Sequence, residues 1–156
     1  MRRRSITIAL FLELDGAKCA APQQIFEASW YQKLCSQIAF CAIDTNPFPL
    51  SVVLVDERRI RELNGQYRGL HRSTDVLSFA YGHDRVIESG ELYVCLSFAL
   101  RQRARFHTTK KQEIARLFFH GLLHILGHDH DSRTSRKAMR ALEDCLMTHA
   151  RTHHLW

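Results

Sequence analysis

Residues 120 to 131 read HGLLHILGHDHD, which places His120, His124 and His130 four and six positions apart with Gly127 between the second and the third. On an α-helix, residues four apart share a face one turn apart, so His120 and His124 can reach a single ion. Gly127 lets the chain turn off the helix end, and His130 then returns from the loop as a third ligand. Three protein ligands leave one coordination position open, and an open position on zinc lowers the pKa of a water to about 7 and makes it a nucleophile. Neutral imidazoles suit zinc, copper, iron and nickel alike; the expected occupant is one zinc ion, with no organic cofactor. A structural ion would be closed by a fourth protein ligand, for which His128, Asp129 and Asp131 are the neighbours, so both uses of the ion stay open at this point.

The same ligand spacing, with a glycine at the same offset, occurs in the metzincin motif H-E-x-x-H-x-x-G-x-x-H, where a glutamate after the first histidine is the general base of a peptidase. Here that position is Gly121, which can neither take nor give a proton. The metal cradle is present without the peptidase base.

The elements that must position these residues follow from pattern. Ile6, Ile8, Leu10, Leu12 and Leu14 alternate with Thr7, Ala9 and Glu13 as in a half-buried strand, and Asp15 and Gly16 then turn the chain. Pro22 opens a helical stretch with apolar residues at Ile25, Trp30, Leu34, Ile38 and Ala42, closed by Asn46, Pro47 and Pro49. Leu50 to Val55 reads as a buried strand, and Asp56 as the cap of a helix carrying Ile60 and Leu63. A polar loop from Asn64 to Thr74 leads to strands at Val76 to Ala80 and Leu92 to Leu96, joined by a turn or flap over Tyr81 to Gly90. From Ser97 the period is helical. Thr109 with Gln112 forms a capping box that opens the histidine helix, anchored by Leu117, Leu122, Ile125 and Leu126. Ser132 or Thr134 starts a last helix with Met139, Leu142 and Leu146 inward and Arg133, Arg136, Lys137 and Arg140 outward. The fold class is therefore α+β: one domain over residues 1–156, a small mixed sheet of about four strands covered by about five helices, with the metal site at the end of a central helix.

A chain of 156 residues, 46% hydrophobic and 24% charged, fits one globular domain. Its net charge of +6 is concentrated at Arg2 to Arg4, at Arg58, Arg59, Arg61, Arg68 and Arg72, and at Arg101, Arg103, Arg105, Lys110 and Lys111. A polyanionic partner suits that surplus, although each cluster alone also reads as a solvated helix face. Cys19, Cys35, Cys41, Cys95 and Cys145 are odd in number and lack a CxxC pair, so they are expected as reduced, mostly buried thiols of a cytoplasmic protein. Arg2 to Arg4 before Ile6 to Leu12 imitate a secretory signal, but Glu13 and Asp15 cut the apolar run short. No segment approaches the roughly 18 to 20 apolar residues of a membrane span. His149, His153 and His154 in the tail are read as exposed rather than as ligands.

Two segments together resemble the YbeY endoribonucleases. Their metal motif, H-G-x-L-H-x-x-G-x-D-H, is matched at His120, Gly121, Leu123, His124, Gly127, Asp129 and His130. An upstream stretch, N-x-x-Y-R-x-x-D-x-P-T-D-V-L-S-F, is matched at Asn64, Tyr67, Arg68, Thr74, Asp75, Val76, Leu77, Ser78 and Phe79, and Gly90-Glu91-Leu92 is similar to a G-D-I strand opening. The likeness runs from Ser51 to the last helix. The chain departs from it at His71, where the family tends to be acidic, at Ser73 and Ala80 in place of prolines, and at Glu91 in place of aspartate. The resemblance implies a metal-dependent endoribonuclease specific for single-stranded RNA. It implies action in ribosomal RNA maturation at the small-subunit 3′ end and in ribosome quality control, with the small ribosomal subunit as partner. It gives Arg68 the role of stabilising charge at phosphorus, which a guanidinium fork suits. Asn64, Thr74 and Asp75 are supporting residues, and Asp129 is expected to orient a histidine rather than ligate.

Two other functions compete with this one. One is a ribosome-assembly or RNA-binding protein whose zinc is structural; the other is a zinc metallopeptidase, against which Gly121 and the basic charge both argue.

Overall fold

The computed structural model describes residues 6–14, 23–41, 43 and 46–156, so the expected N-terminal basic run, the turn at Asp15 and Gly16, Cys19 and Pro22 lie outside the described residues. Four strands, β1 (Thr7–Glu13), β2 (Pro49–Val55), β3 (Val76–His83) and β4 (Val86–Cys95), make one sheet in the order β1-β2-β4-β3. β1, β2 and β4 run parallel, and β3 lies antiparallel on the edge against β4. Five helices cover it: α1 (Ala28–Ser36), α2 (Glu57–Arg68), α3 (Leu96–Phe106), α4 (Lys110–Ile125) and α5 (Arg133–Thr152). This is the small mixed-sheet α+β domain that the pattern predicts.

From Val52 to Val55 β2 is buried on both faces, which is why it reads as an apolar run broken only by Ser51. Leu50, Val52 and Leu54 face the larger cluster with α1, α4 and α5, while Val53 and Val55 face Ile60 and Leu63 of α2. α4 is the central helix: Ile114, Leu117, Phe118, Leu122 and Leu123 are all fully buried against the sheet. Its start is the expected capping box, with Thr109 Oγ1 accepting from the Gln112 N–H and the Thr109 N–H donating back to Gln112 Oε1 at 2.8 Å. Ser132 caps α5 in the same way through Ser135.

Several boundaries differ from the pattern reading. The single helical stretch through Ile38 is a 3-10 turn, then α1, then a second 3-10 turn over Gln37–Phe40. α2 does not stop near Leu63 but runs to Arg68, closed by Gly69 at φ 68° with the Gly69 N–H donating to Gly65 O. Arg68 is thus a helix-end residue, not a loop residue. The expected flap over Tyr81 to Gly90 is the hairpin itself: β3 and β4 extend through it and close on Asp84 and Arg85, both in the left-handed region at φ 51° and 66°, as a two-residue turn of this hand requires.

The cysteine expectation also needs correction. Cys35 and Cys95 are buried free thiols as expected, but Cys41 and Cys145 are joined in a disulfide with their Cα atoms 6.0 Å apart. α5 and the turn at Cys41 pack side by side, a neighbourhood 104 residues apart in sequence that spacing alone does not reveal.

Candidate metal centre

α4 presents His120 and His124 on one face, with ring centroids 4.8 Å apart. The helix then ends in a Schellman motif: the Gly127 N–H donates to His124 O and the His128 N–H to Leu123 O, both at 3.0 Å, with Gly127 at φ 89°. The left-handed residue reverses the chain and returns His130 to the same point, 5.1 Å from the His120 ring and 4.6 Å from the His124 ring. The ligand atoms of all three lie within 4.8 Å of one another, and His124 Nε2 and His130 Nε2 are 3.0 Å apart. Two ring nitrogens converging so closely, with a third beside them, is the arrangement a shared cation satisfies.

The donor set fits a metal in its protonation as well. His120 Nδ1 lies 2.5 Å from Glu143 Oε1. A carboxylate only accepts, so Nδ1 carries the proton and the Nε2 lone pair is left for an ion. At His124 burial first, and then the repulsion its protonated ring would meet from protonated His120 and His130, hold the imidazole below its usual pKa, which favours the neutral, ligating form. Arg68 pushes in the same direction, so its charge is felt at the site.

Gly121 has a structural cause. A Cβ there would stand 2.1 Å from Leu92 Cδ1 and 3.2 Å from Val76 Cγ2, because α4 lies directly on β3 and β4 at this point. A glutamate has no room, and the peptidase base is excluded by packing as well as by sequence.

Asn64 is buried, and its Nδ2 donates to Arg72 O at 2.8 Å, pinning the loop that follows Arg68. Thr74 Oγ1 and the Val76 N–H both donate to Asp75 Oδ1, while Asp75 O accepts from the Cys95 N–H, so this pair builds the entry to β3. Asp129 is exposed, and its Oδ1 accepts from the Asp131 N–H at 3.2 Å. A hydrogen bond from Ser135, followed by one from Asp131, holds its carboxyl below the usual range. The carboxylate that meets a histidine nitrogen directly is Glu143, on His120.

Sequence reasoning missed three further residues. An open cavity of about 530 Å³ is lined by Arg116, His120, His130, Arg136, Met139, Arg140 and Glu143. Arg116 is anchored by Glu113, which is completely buried, at 2.6 Å, and by Gln102 at 3.2 Å. Arg136 and Arg140 do point outward from α5, as expected, but onto this cavity beside the histidines. Their spacing from Glu143, at i, i+4 and i+7, is a one-face pattern that was legible in the sequence. By contrast, Arg59 in the α2 cluster is paired with Glu13 and Glu62, and Arg101 with Glu57, as solvated faces are.

Fold and site together define a class: a small α+β domain whose central helix ends in a three-imidazole group that could hold a metal ion, beside a cation-lined cavity. The family profile described as Endoribonuclease YbeY matches residues 19–151. Relatives of that name include one from Heliobacterium modesticaldum, 32% identical over 83% of this chain and 89% of its own. Others come from Pelotomaculum thermopropionicum, at 39% over 88% and 86%, and a Synechococcus species, at 34% over 91% and 96%. The solution structure of TM1509 from Thermotoga maritima covers 94% of this chain and 95% of its own at a TM-score of 0.55 and 27% identity. The chain belongs to the YbeY endoribonuclease family.

Proposed function

We propose that this protein is a metal-dependent endoribonuclease that cuts single-stranded RNA, with His120, His124 and His130 holding one zinc ion and Arg68 stabilising charge on the scissile phosphate. The observation that carries the reading is the three-imidazole group, two of whose rings, His120 and His130, line one open cavity with Arg116, Arg136 and Arg140. When bound there, a zinc ion supplies Lewis acidity toward water and a phosphoryl oxygen. The chain's own residues do the rest. Glu143 holds the His120 ring and its tautomer, Arg116 is preset by Glu113 and Gln102, and Arg136 and Arg140 offer forked donors to a polyanion. Asn64, Thr74 and Asp75 shape the segment between Arg68 and β3.

Within this reading the substrate is ribosomal RNA at the 3′ end of the small-subunit species, the partner is the small ribosomal subunit, and the compartment is the cytoplasm; membership of an endoribonuclease family supports the RNA substrate. No helix among the described residues is long and apolar enough to cross a membrane.

The test is cleavage of matched single- and double-stranded RNAs together with metal analysis. Wild type is expected to cut only the single strand and to stop on chelation, His124→Ala to lose metal and cleavage together, and Arg68→Ala to keep metal and lose cleavage. Undiminished cleavage by metal-free His124→Ala protein overturns the proposal. If chelation unfolds the protein and abolishes RNA binding with it, the ion is structural.

A further inference from the structure

A second cluster of metal-ligating groups lies outside this site. Cys41, Cys145 and His149 bring two sulfurs and an imidazole nitrogen within 4.8 Å of one another between α5 and the turn that follows Phe40, with Cys41 buried and the other two half-buried. Cys145 and His149 are one helical turn apart on α5, the same i, i+4 geometry that pairs His120 with His124. Cys41 closes the group from the neighbouring element. His149 is held in place: its ring stacks on Phe40 at 5.2 Å and 16°. His153, another turn along the same face, sits 5.1 Å from Phe40 and 6.3 Å from the His149 ring. Its Nδ1 is 2.8 Å from His149 O. A carbonyl can only accept, so Nδ1 carries the proton and Nε2 keeps a lone pair.

We propose that, once the Cys41–Cys145 disulfide is reduced, Cys41, Cys145 and His149 bind a second, zinc-class divalent ion that ties α5 to the Cys41 turn. Two thiolates and an imidazole are a borderline-soft donor set of the kind zinc prefers, and the fourth position falls to water or to Nε2 of His153. The stoichiometry is simple. A dithiol reductant gives two electrons and two protons and is itself oxidised to a disulfide, while the S–S bond breaks into two thiols. On binding M²⁺ the two thiols release two protons and bind as thiolates. Bonds of about 2.3 Å to sulfur and 2.0 Å to nitrogen put tetrahedral donors about 3.5 to 3.8 Å apart. The sulfurs therefore separate by about 1.7 Å from their bonded distance, a movement that side-chain rotation supplies. A disulfide alone gives no role to an imidazole fixed beside it.

The ion would fasten the helix that carries Glu143, Arg140 and Arg136, two turns or fewer from the cluster along α5 for Glu143 and Arg140. In oxidising conditions the disulfide does the same tethering without metal.

Cobalt(II) loading of the full-length protein tests this without reference to RNA cleavage. Thiolate ligation gives a sulfur-to-cobalt charge-transfer band, which a site of imidazoles alone does not. Reduced wild type is expected to hold two cobalt ions per chain and show the band; oxidised wild type is expected to hold one and show none. His149→Ala, reduced, is expected to lose the second ion and most of the band. Cys145→Ser should lose the band entirely. The proposal is overturned if reduced wild type lacks the band, if the band survives in Cys145→Ser and so belongs to another thiol, or if His149→Ala keeps it undiminished. The redox comparison uses wild type only, so it remains decisive should a variant fail to fold.

Discussion

Glu143 of α5 reaches across to His120 of α4 and holds its Nδ1 at 2.5 Å, so the tautomer of a candidate metal ligand is set by the next helix. The two residues are 23 positions apart, and their contact depends on how α4 and α5 pack. Glu143→Gln can still accept from Nδ1 but lacks the charge that raises imidazole basicity, and Glu143→Ala removes both. Loss of such an outer partner typically weakens metal affinity about 10- to 100-fold. The expected order by competitive chelator titration is wild type, then Gln, then Ala; equal affinities would detach Glu143 from the metal centre.

Arg68 closes α2 and acts on His124 by charge, without a place among the three imidazoles. Arg68→Ala is therefore expected to leave metal content unchanged and to lower single-strand cleavage about 100- to 1,000-fold, the usual effect of deleting one donor that faces transition-state charge. Arg68→Lys should recover only part, because an ammonium lacks the planar fork. A parallel loss of metal in Arg68→Ala, measured by elemental analysis, would assign the residue to site assembly instead.

Arg136 and Arg140 lie on the rim of the same cavity. If each meets a phosphate, the slope of log K against log salt for single-stranded RNA should shrink by about 0.7 for each arginine changed to alanine. Fluorescence anisotropy across a salt series reads this directly. Unchanged slopes would take the RNA path elsewhere.

Gly121 carries a prediction that separates packing from chemistry. Alanine is worth about 1 kcal/mol more than glycine in a helix interior, so propensity alone favours Gly121→Ala. Against that, its Cβ would overlap Leu92 Cδ1 at 2.1 Å in a fully buried layer, and overpacking of that kind costs about 1–3 kcal/mol. Steric overlap is expected to win, giving a lower urea midpoint. Gly121→Glu, which would restore a peptidase base, is expected not to fold, because the carboxylate would be buried without a partner. A stable Gly121→Ala protein would show that the Leu92 side chain or α4 itself shifts to admit the methyl group.

The part of this site that was legible in the sequence is the local part. Helical spacing places His120 and His124 together whatever surrounds them, and Gly127 marks where the helix must end because only a left-handed residue closes a Schellman motif there. The strands were legible because β2 is apolar except at Ser51 and β1 alternates as far as Leu10; Leu12, expected inward, is exposed beside Phe11. What spacing could not show is contact between elements. Asp129 Oδ1 accepts from the nearby Asp131 N–H, whereas Glu143, the carboxylate on His120, arrives from α5 and no spacing announces it. Cys41 and Cys145 looked unpaired for the same reason. The hairpin turn was hidden because Asp84 and Arg85 take left-handed angles without the glycine that usually signals them. Arg68 looked like a loop residue because the polar sequence after Leu63 masks one more helical turn.

Burial, and then repulsion from His120 and His130 in their protonated forms, place the folded-state pKa of His124 below its ordinary value of about 6.5. An unfolded chain therefore takes up a proton at His124 before the folded one does. The contribution to stability is present above about pH 6.5 and is lost as pH falls below it, with a slope for this one group of at most about 1.4 kcal/mol per pH unit. Metal-free protein should thus unfold at lower urea at pH 5.5 than at pH 7.5, and His124→Gln, which cannot titrate, should show a shallower dependence. Adding zinc should steepen the wild-type dependence, because protons and metal compete for the same nitrogen lone pairs. If His124→Gln matches wild type in slope, the acid sensitivity lies in other histidines, and His124 is solvated rather than held neutral by its neighbours.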